Sequence, residues 1–133
     1  MRPQVLRILF AGLALAGAVL GLHLRADAVT CGQAEQTIRQ TSYNGYGVAP
    51  GDIATVRSHC RSPQRLAVLA VDVAPVAPAA ARELAAIALR RAPDTFAGWA
   101  GETLVLKRTD PAAARAAWDR AKELNPRWTA PRP

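Results

Sequence analysis

Aromatic residues are scarce in this sequence: Phe, Trp and Tyr together make up 5% of its 133 residues. Hydrophobic residues reach 50%, but many of them are alanine, which removes little apolar surface from water. A core built from them must be thin, with helices in close contact, because alanine favours helices and is depleted in β-sheets. The expected fold is a single domain of the all-α class.

Catalytic patterns are also missing. The glutamates are scattered, and Ser58 has no nucleophile motif around it. Cys31, His59 and Cys60 are too few for a closed zinc site of four ligands, and the adjacent His59 and Cys60 point apart on a helix. The G-x-G at residues 45–47 follows no strand, so it predicts a turn rather than a phosphate-binding loop. We therefore expect no catalytic residue, no metal, no cofactor and no enzymatic activity.

Positive charge is in excess but is not concentrated. The chain has 17 Lys and Arg residues against 10 Asp and Glu, a formal net charge of +7. The basic residues are spread along the chain, whereas nucleic-acid binding needs a concentrated basic face. We expect no nucleic-acid partner, and the excess charge favours solubility or attraction to anionic membrane surfaces.

An uninterrupted apolar run covers residues 8–22, after Arg2 and Arg7 and before Arg25. Positive charge ahead of an apolar segment is typical of an export signal and keeps the extreme N-terminus on the cytoplasmic side. The run is long for the core of a signal peptide and short for a membrane span of about 20 residues. It is therefore interpreted as a cleaved signal peptide or as a single-pass membrane anchor.

Residues 26–28, Ala-Asp-Ala, carry small side chains at both positions that a signal peptidase reads, so cleavage would follow Ala28. Without cleavage, residues 8–24 would anchor the chain in the membrane with its N-terminus inside. Both options give residues 1–28 a targeting role and place the rest of the chain in an extracytoplasmic location. Two alternatives fit less well: a buried core helix would need a polar side, and the residues before Cys31 match a lipoprotein signal poorly.

A short segment occurs twice in the sequence. Residues 78–82, Pro-Ala-Ala-Ala-Arg, return at residues 111–115, an offset of 33 (111 − 78). The same offset relates two further pairs of residues, Ala88 with Ala121 and Pro93 with Pro126. A period in the low thirties is typical of an array of helix-turn-helix repeats.

Proline and capping residues mark where the helices of this array start. Ser62-Pro63 and Asp110-Pro111 each place an N-cap side chain before a proline at the first helical position. Pro78 opens another helix, because proline lacks only a backbone N–H that the first turn leaves unbonded. The sequence therefore predicts helices that begin at positions 63, 78 and 111.

Apolar residues recur at positions i, i+3, i+4 and i+7 in each predicted helix, which gives every helix one buried face. In the first unit these faces consist of Leu66, Leu69, Ala70 and Val73, and of Ala81, Leu84, Ala85 and Ala88. In the second unit, which is capped by Asp94 or Thr95, they consist of Phe96, Trp99, Ala100 and Thr103, and of Ala114, Ala117, Trp118 and Ala121.

Residues 95–128 resemble a tetratricopeptide repeat (TPR), and residues 62–93 resemble one more weakly. The matching positions are Ala114, Trp118, Ala121 and Pro126, with Trp99 one position from the usual tryptophan of the first helix, and Ala81, Ala88 and Pro93 in the first unit. Ala85 stands where the family has an aromatic residue. The resemblance implies that the small residues let neighbouring helices touch, that the aromatic residue fills the groove between them, and that the array binds proteins or peptides.

The two cysteines predict a third helical hairpin at residues 29–61. A helix from Gln33 to Thr41 would be followed by a turn at residues 44–47 and by a second helix capped by Asp52. Its buried faces consist of Ala34, Ile38 and Thr41, and of Ile53, Val56 and Cys60. Cys31 precedes the first helix and Cys60 lies near the end of the second, so an antiparallel hairpin brings them side by side. An extracytoplasmic location is oxidising enough to keep a disulfide between them.

The predicted protein is thus a short array of antiparallel helix-turn-helix, TPR-like repeats after an N-terminal apolar helix. The repeats occupy residues 62–128, and residues 129–133 form a tail for which we expect disorder. The expected function is a non-catalytic extracytoplasmic interaction module that binds an unidentified protein or peptide of the cell envelope. The alternative is a small disulfide-stabilised structural protein of the envelope that self-associates as a homo-oligomer.

Overall fold

The computed structural model describes the backbone of residues 3–133 and the side chains of residues 8–133. Arg2 and the side chain of Arg7, which carry the charge of the predicted export signal, lie outside that part. Within it the chain forms six α-helices and no strand, and this confirms the all-α expectation. The helices are α1 (Pro3–Tyr43), α2 (Pro50–His59), α3 (Pro63–Val73), α4 (Pro78–Arg91), α5 (Phe96–Leu106) and α6 (Pro111–Leu124).

Helix α1 runs without a break from the apolar segment into the cysteine hairpin. The expected helix at residues 33–41 is therefore the C-terminal part of α1 and not a separate element. No proline interrupts the intervening residues, and the Thr30 hydroxyl donates to the Ala26 carbonyl within the helix (3.0 Å). Two separate helices would leave unbonded backbone groups where one ends and the next begins, whereas a continuous helix leaves none at this junction.

The N-terminal part of α1 is exposed. Residues 8–43 form a helix that is long and apolar enough to cross a membrane by length and composition, and none of its apolar window is buried. Large side chains such as Ile8, Phe10 and Leu22 are 65–73% exposed. The alternative of a buried core helix is therefore wrong, because nothing in the described chain covers this segment.

Prolines begin the helices at the expected places. Helices α3, α4 and α6 start at residues 63, 78 and 111, as predicted. The Ser62 side chain accepts a hydrogen bond from the backbone N–H of Arg65 (3.3 Å), and Asp110 accepts one from that of Ala113 (3.0 Å). The expectation that Asp52 caps α2 was wrong: this helix begins at Pro50, whose fixed φ suits the first helical position, and Asp52 lies in its first turn.

Three of the helices form a layer, and each of the other three packs on one helix of that layer. Helices α1, α3 and α5 lie side by side in one layer, since α3 contacts both of the others. Helix α2 packs on α1, α4 on α3 and α6 on α5, and further contacts join α2 to α4 and α4 to α5. This arrangement gives α3 and α4, in the middle of the chain, neighbours on both sides.

The expected core faces are buried in α3, α4 and the cysteine hairpin. Leu66, Leu69 and Val73 are fully buried, and so is Ile38 of the hairpin. The alanines that the repeat identified also lie at helix contacts with no exposed surface: Ala81, Ala88, Ala114 and Ala121. As the composition indicates, the core is thin, because these positions offer only a methyl group each.

Helix α5 buries a different face from the expected one. Thr103 is buried, but Phe96, Trp99 and Ala100 are only half-buried. The residues buried in α5 are Gly98, Gly101, Thr103, Val105 and Leu106. A Cβ atom at Gly98 would lie 2.8 Å from Cδ2 of Leu89 in α4, so a larger side chain at this helix contact would require the Leu89 side chain to move. The aromatic rings are displaced to the edge of the contact.

Residues 126–133, part of which we expected to be disordered, pack against α6. The ring of Trp128 lies 5.4 Å from that of Phe96 and 5.8 Å from that of Trp118. The Trp118 indole N–H donates to the Ala130 carbonyl (3.0 Å). Trp118 is therefore half-buried beneath this segment rather than between α5 and α6, because no further described helix covers this side of α6.

A disulfide joins Cys31 in α1 to Cys60 at the end of α2, with 4.8 Å between their Cα atoms. Both cysteines are buried, at 3% and 1% exposure. The bond closes the α1–α2 hairpin, whose buried side chains are few, and it lies where the expected antiparallel pairing places it.

Replacing both cysteines by serine should lower the free energy of unfolding by about 2–5 kcal/mol, since the bond restricts the unfolded chain. The loss should fall mainly on residues 31–60, because the helices that follow are held by contacts with their neighbours. Denaturation and amide hydrogen exchange of the full chain in detergent would measure both effects. Two thiols that react with an alkylating agent in the unreduced wild type would contradict the bond itself.

Candidate binding groove

An open apolar groove lies between α3 and α5, on the outer surface of the layer that α1, α3 and α5 form. Its volume is about 230 Å³. It is lined by Ala67, Val68, Val71, Asp72, Ala97, Ala100, Gly101 and Leu104. Seven of these eight residues have no polar side-chain atom, so the groove favours apolar groups over water.

Gly101 explains why a groove forms at this contact. A Cβ atom at Gly101 would lie 3.3 Å from Cβ of Ala67 and 3.4 Å from its carbonyl oxygen. The backbones of α3 and α5 therefore approach closely at this point, with no flexible side chain between them. The larger side chains on either side stand out from the contact and form the walls of a trough.

Two large apolar side chains remain exposed on these walls. Val68 of α3 is 54% exposed and Leu104 of α5 is 48% exposed. Single exposed apolar residues are common, but these two face one apolar groove from opposite helices. The groove is therefore a candidate surface for binding an apolar segment.

The groove continues past the C-terminal ends of α3 and α5 into a second cavity of about 360 Å³. The two cavities share Val71 and Leu104. The other residues that line the second cavity are Ala74, Pro75, Pro78, Val105, Arg108 and Thr109. Together they form one continuous surface, which we call the α3–α5 groove.

Charged residues flank the two sides of the α3–α5 groove differently. Asp72 is paired with Arg39 of α1 (2.9 Å), and Tyr43 donates its hydroxyl to the Asp72 carbonyl (3.1 Å). Arg108 is exposed and has no ion-pair partner among the described side chains. Near the C-terminal ends of the two helices, the α3 side of the groove thus carries a neutral ion pair and the α5 side carries an unpaired cation.

Glu102 lies on α5 away from the groove. Burial raises the pKa of its carboxyl group, and the nearby charge of Arg82 partly opposes the shift. One of its oxygens is buried and has no hydrogen-bond partner among the described atoms. Because the neutral form is favoured in the folded state, Glu102 contributes stability below its ordinary pKa and loses it as pH rises through the raised value.

None of the eight packing residues taken from the repeat lines the α3–α5 groove. The four alanines lie inside the helix layers, and Pro93 and Pro126 are exposed just beyond helix ends. The Trp99 indole N–H donates to the Pro93 carbonyl (2.6 Å), so this ring packs on the turn before α5. The positions matched to the repeat therefore lie at helix contacts or in turns, and not on the α3–α5 groove.

A signal for the groove was present in the sequence. Val68 and Gly101 occupy equivalent positions at the repeat offset of 33, and so do Val71 and Leu104. All four are small or apolar, and none belongs to the core stripe that the sequence predicts for its helix, although Gly101 is buried against Ala67 in the structure. Apolar residues at the same off-core positions in both units would have indicated a shared outer surface.

A polar cluster joins α1 to the start of α3. Asp27 accepts hydrogen bonds from Arg61 (2.8 Å) and contacts Nδ1 of His59 (2.9 Å), and its side chain is only 14% exposed. The hydrogen bond with His59 and then that with Arg61 hold the pKa of the Asp27 carboxyl below its usual value. This role was not predicted from the sequence, because Asp27 lies five residues past Leu22, the end of the apolar run, and its partners are more than 30 residues away.

The disulfide lies next to a buried carboxylate. Glu35 is paired with Arg65 (2.8 Å), and one Glu35 oxygen lies 3.4 Å from Sγ of Cys31. The ligand atoms of Cys31, Glu35 and Cys60 are close enough together for a metal ion. Since the two sulfurs are bonded to each other, neither is a thiolate, and the cluster offers one carboxylate that already has a partner.

No protein-family model matches this chain, no curated protein sequence matches it, and no solved structure matches it.

Replacing Gly101 by leucine should push α3 and α5 apart, because Ala67 has no side chain that can move aside. We expect a loss of about 1–3 kcal/mol in the free energy of unfolding, the usual range for overpacking. Gly101→Ala is the matched control: its helix propensity gains up to about 1 kcal/mol, which offsets a contact only slightly too short. Chemical denaturation would measure both, and equal stability of the two variants would contradict the close approach.

Asp27→Asn should lower the stability at pH 7, because it removes the charge that His59 and Arg61 bind. The lowered pKa of Asp27 means that its contribution is present above the ordinary pKa and is lost as pH falls through the lowered value. Wild type and variant should therefore become equally stable in acid. Thermal unfolding across pH tests this, with Asp94→Asn as the control, since Asp94 is 80% exposed.

Proposed function

We propose that this chain is a non-catalytic, membrane-anchored protein of the extracytoplasmic space, and that it binds a protein or peptide in the α3–α5 groove. The observation that carries the proposal is the pair of exposed apolar side chains, Val68 and Leu104, on facing walls of one apolar groove. An apolar side chain of a partner would remove both from water.

The helix bounds support a TPR-like repeat as the scaffold of the groove. Helices α3 and α5 both have 11 residues, and α4 and α6 both have 14. Each member of a pair starts 33 residues after the other, at positions 63 and 96 and at positions 78 and 111. In this interpretation the first helices of the two units form the binding surface and the second helices support them.

The contacts of Asp27 favour an anchor over a cleaved signal peptide. Cleavage after Ala28 would remove Asp27 and leave His59 and Arg61 without their carboxylate partner. It would also cut α1 three residues before the cysteine that joins it to α2. Retention of residues 8–24 in the membrane keeps the helix and both contacts intact.

Site-specific photo-crosslinking in native membranes tests the binding proposal. A photoreactive amino acid at position 68 or 104 of the full chain should give a specific adduct. The matched control is position 76, where Val76 is 47% exposed but does not line the groove. Leu104→Glu should abolish the adduct at position 68, because it places a charge in the apolar groove. Equal adducts at all three positions, or none at positions 68 and 104, would count against the groove.

Self-association is the second candidate function. The observation that favours it is the same exposed apolar groove, which a second copy of the chain is able to cover. The crosslinking experiment separates the two functions by mass. An adduct of twice the chain mass at positions 68 and 104 assigns the groove to self-association, and an adduct of any other mass assigns it to a different protein or peptide.

A further inference from the structure

We infer that the end of the helical domain nearest to the apolar segment rests on the membrane and binds anionic lipid headgroups. This end, which we call the base, consists of residues 57–61, 90–94 and 119–132. The inference rests on the proposed membrane anchor, and it adds a second interaction surface, separate from the α3–α5 groove.

Contacts with α1 place the end of α2 beside the apolar segment. Asp27 bonds to His59 and Arg61, and Cys31 is joined to Cys60. Since α1 is a single helix from the apolar segment to this point, the first part of the base has a fixed position relative to it.

Further contacts bring the ends of α4 and α6 to the same place. Arg91 donates hydrogen bonds to the carbonyls of Arg57 and Cys60, which ties the end of α4 to the end of α2. Arg120 of α6 is paired with Asp94 (3.0 Å), just beyond α4. The second part of the base therefore contacts both the first part and the third.

The height of the base above the apolar segment fits the headgroup layer of a bilayer. Asp27 lies four residues beyond His23, the first polar residue after the apolar run, which is a rise of about 6 Å along a helix. The headgroup layer adds roughly 5–8 Å on each side of the hydrocarbon core. The part of the base that contacts Asp27 thus lies at the level of the headgroups if α1 crosses the membrane.

Positive charge is concentrated at the base and not at the opposite end of the domain. Residues 57–61, 90–94 and 119–132 together carry eight Lys or Arg and three Asp or Glu residues. The turns at the opposite end, residues 44–52, 72–78 and 107–115, together carry three of each. Arg90 and Arg127 are exposed and have no ion-pair partner among the described side chains, so they are available to lipid phosphates.

All three tryptophans of the chain belong to the base or touch it. Trp128 lies in the base and contacts Trp118, while Trp99 donates to the Pro93 carbonyl. Each of the three is half-buried, so part of its ring surface faces solvent. Tryptophan is enriched at membrane interfaces, where its ring is partly apolar and its N–H finds a polar partner. Charge and ring placement therefore indicate the same ligand, an anionic bilayer surface.

Tryptophan fluorescence of the full chain in vesicles tests the inference. The chain would be reconstituted in phosphatidylcholine, with and without one quarter phosphatidylglycerol, using lipids brominated near the top of the acyl chain as quenchers. Residues 8–43 contain no tryptophan, so the quenching reports on the base and not on insertion of α1. We expect stronger quenching in the anionic vesicles, and its loss at high salt because screening shortens the electrostatic range.

The variant Arg90→Gln/Arg127→Gln should lower the ratio of docked to undocked protein by roughly 30-fold, since each arginine near an anionic surface contributes about a factor of five. The matched control is Lys107→Gln/Arg115→Gln, which removes the same charge at the opposite end of the domain, outside the α3–α5 groove. Its quenching should equal that of the wild type. Circular dichroism would verify that both variants keep their helices.

Three results would overturn the inference. Equal quenching in the two lipids would show that the base does not bind anionic headgroups. An equal loss in both variants would assign the effect to net charge rather than to the base. If flotation and carbonate extraction show that the chain is not inserted, the proposed anchor fails together with the inference, whereas an inserted chain without lipid-dependent quenching removes the inference alone.

Discussion

Close approach of helix backbones is the constraint on which this structure depends. Several of the helix contacts are made by residues with little or no side chain: Ala81, Ala88, Ala114, Ala121 and Gly101. Each contact of this kind involves few atoms, so a shift of one helix by a few tenths of an ångström changes its contacts throughout the layer. Two local features restrict such shifts and keep the helices in register. Prolines fix the residues at which helices start, and the disulfide joins the two helices of the α1–α2 hairpin, which has few buried side chains.

The parts of the fold that the sequence predicted are those that local chemistry determines. Proline at a first helical position and the stripes of α3 and α4 follow from backbone sterics and helix period alone. The continuity of α1 could not be read in this way, because the residues between the apolar run and Cys31 neither break nor mark a helix. In α5 the period was correct but the face was wrong, since glycine contacts with α3 and α4 outweighed the size of Phe96 and Trp99.

The candidate groove was hidden for a related reason. A periodic stripe of apolar residues indicates the buried face of a helix, whereas Val68 and Leu104 are apolar residues that remain exposed in the folded protein. Asp27 was hidden because its partners lie at the end of α2 and just after it, more than 30 residues away, and the segment around it matched a cleavage site. Comparison of equivalent positions in the two units separates the requirements of packing from those of an outer surface, and it needs no information beyond the sequence.

Because helix α1 is unbroken, the rotation of the whole domain about the axis of α1 depends on the number of residues in that helix. An α-helix turns about 100° and rises about 1.5 Å with each residue. If α1 crosses a membrane, the number of residues between the apolar run and Asp27 sets the direction, in the plane of the membrane, toward which the α3–α5 groove opens. One residue more or fewer there would turn the groove by more than a quarter of a circle, away from any partner fixed in the same membrane.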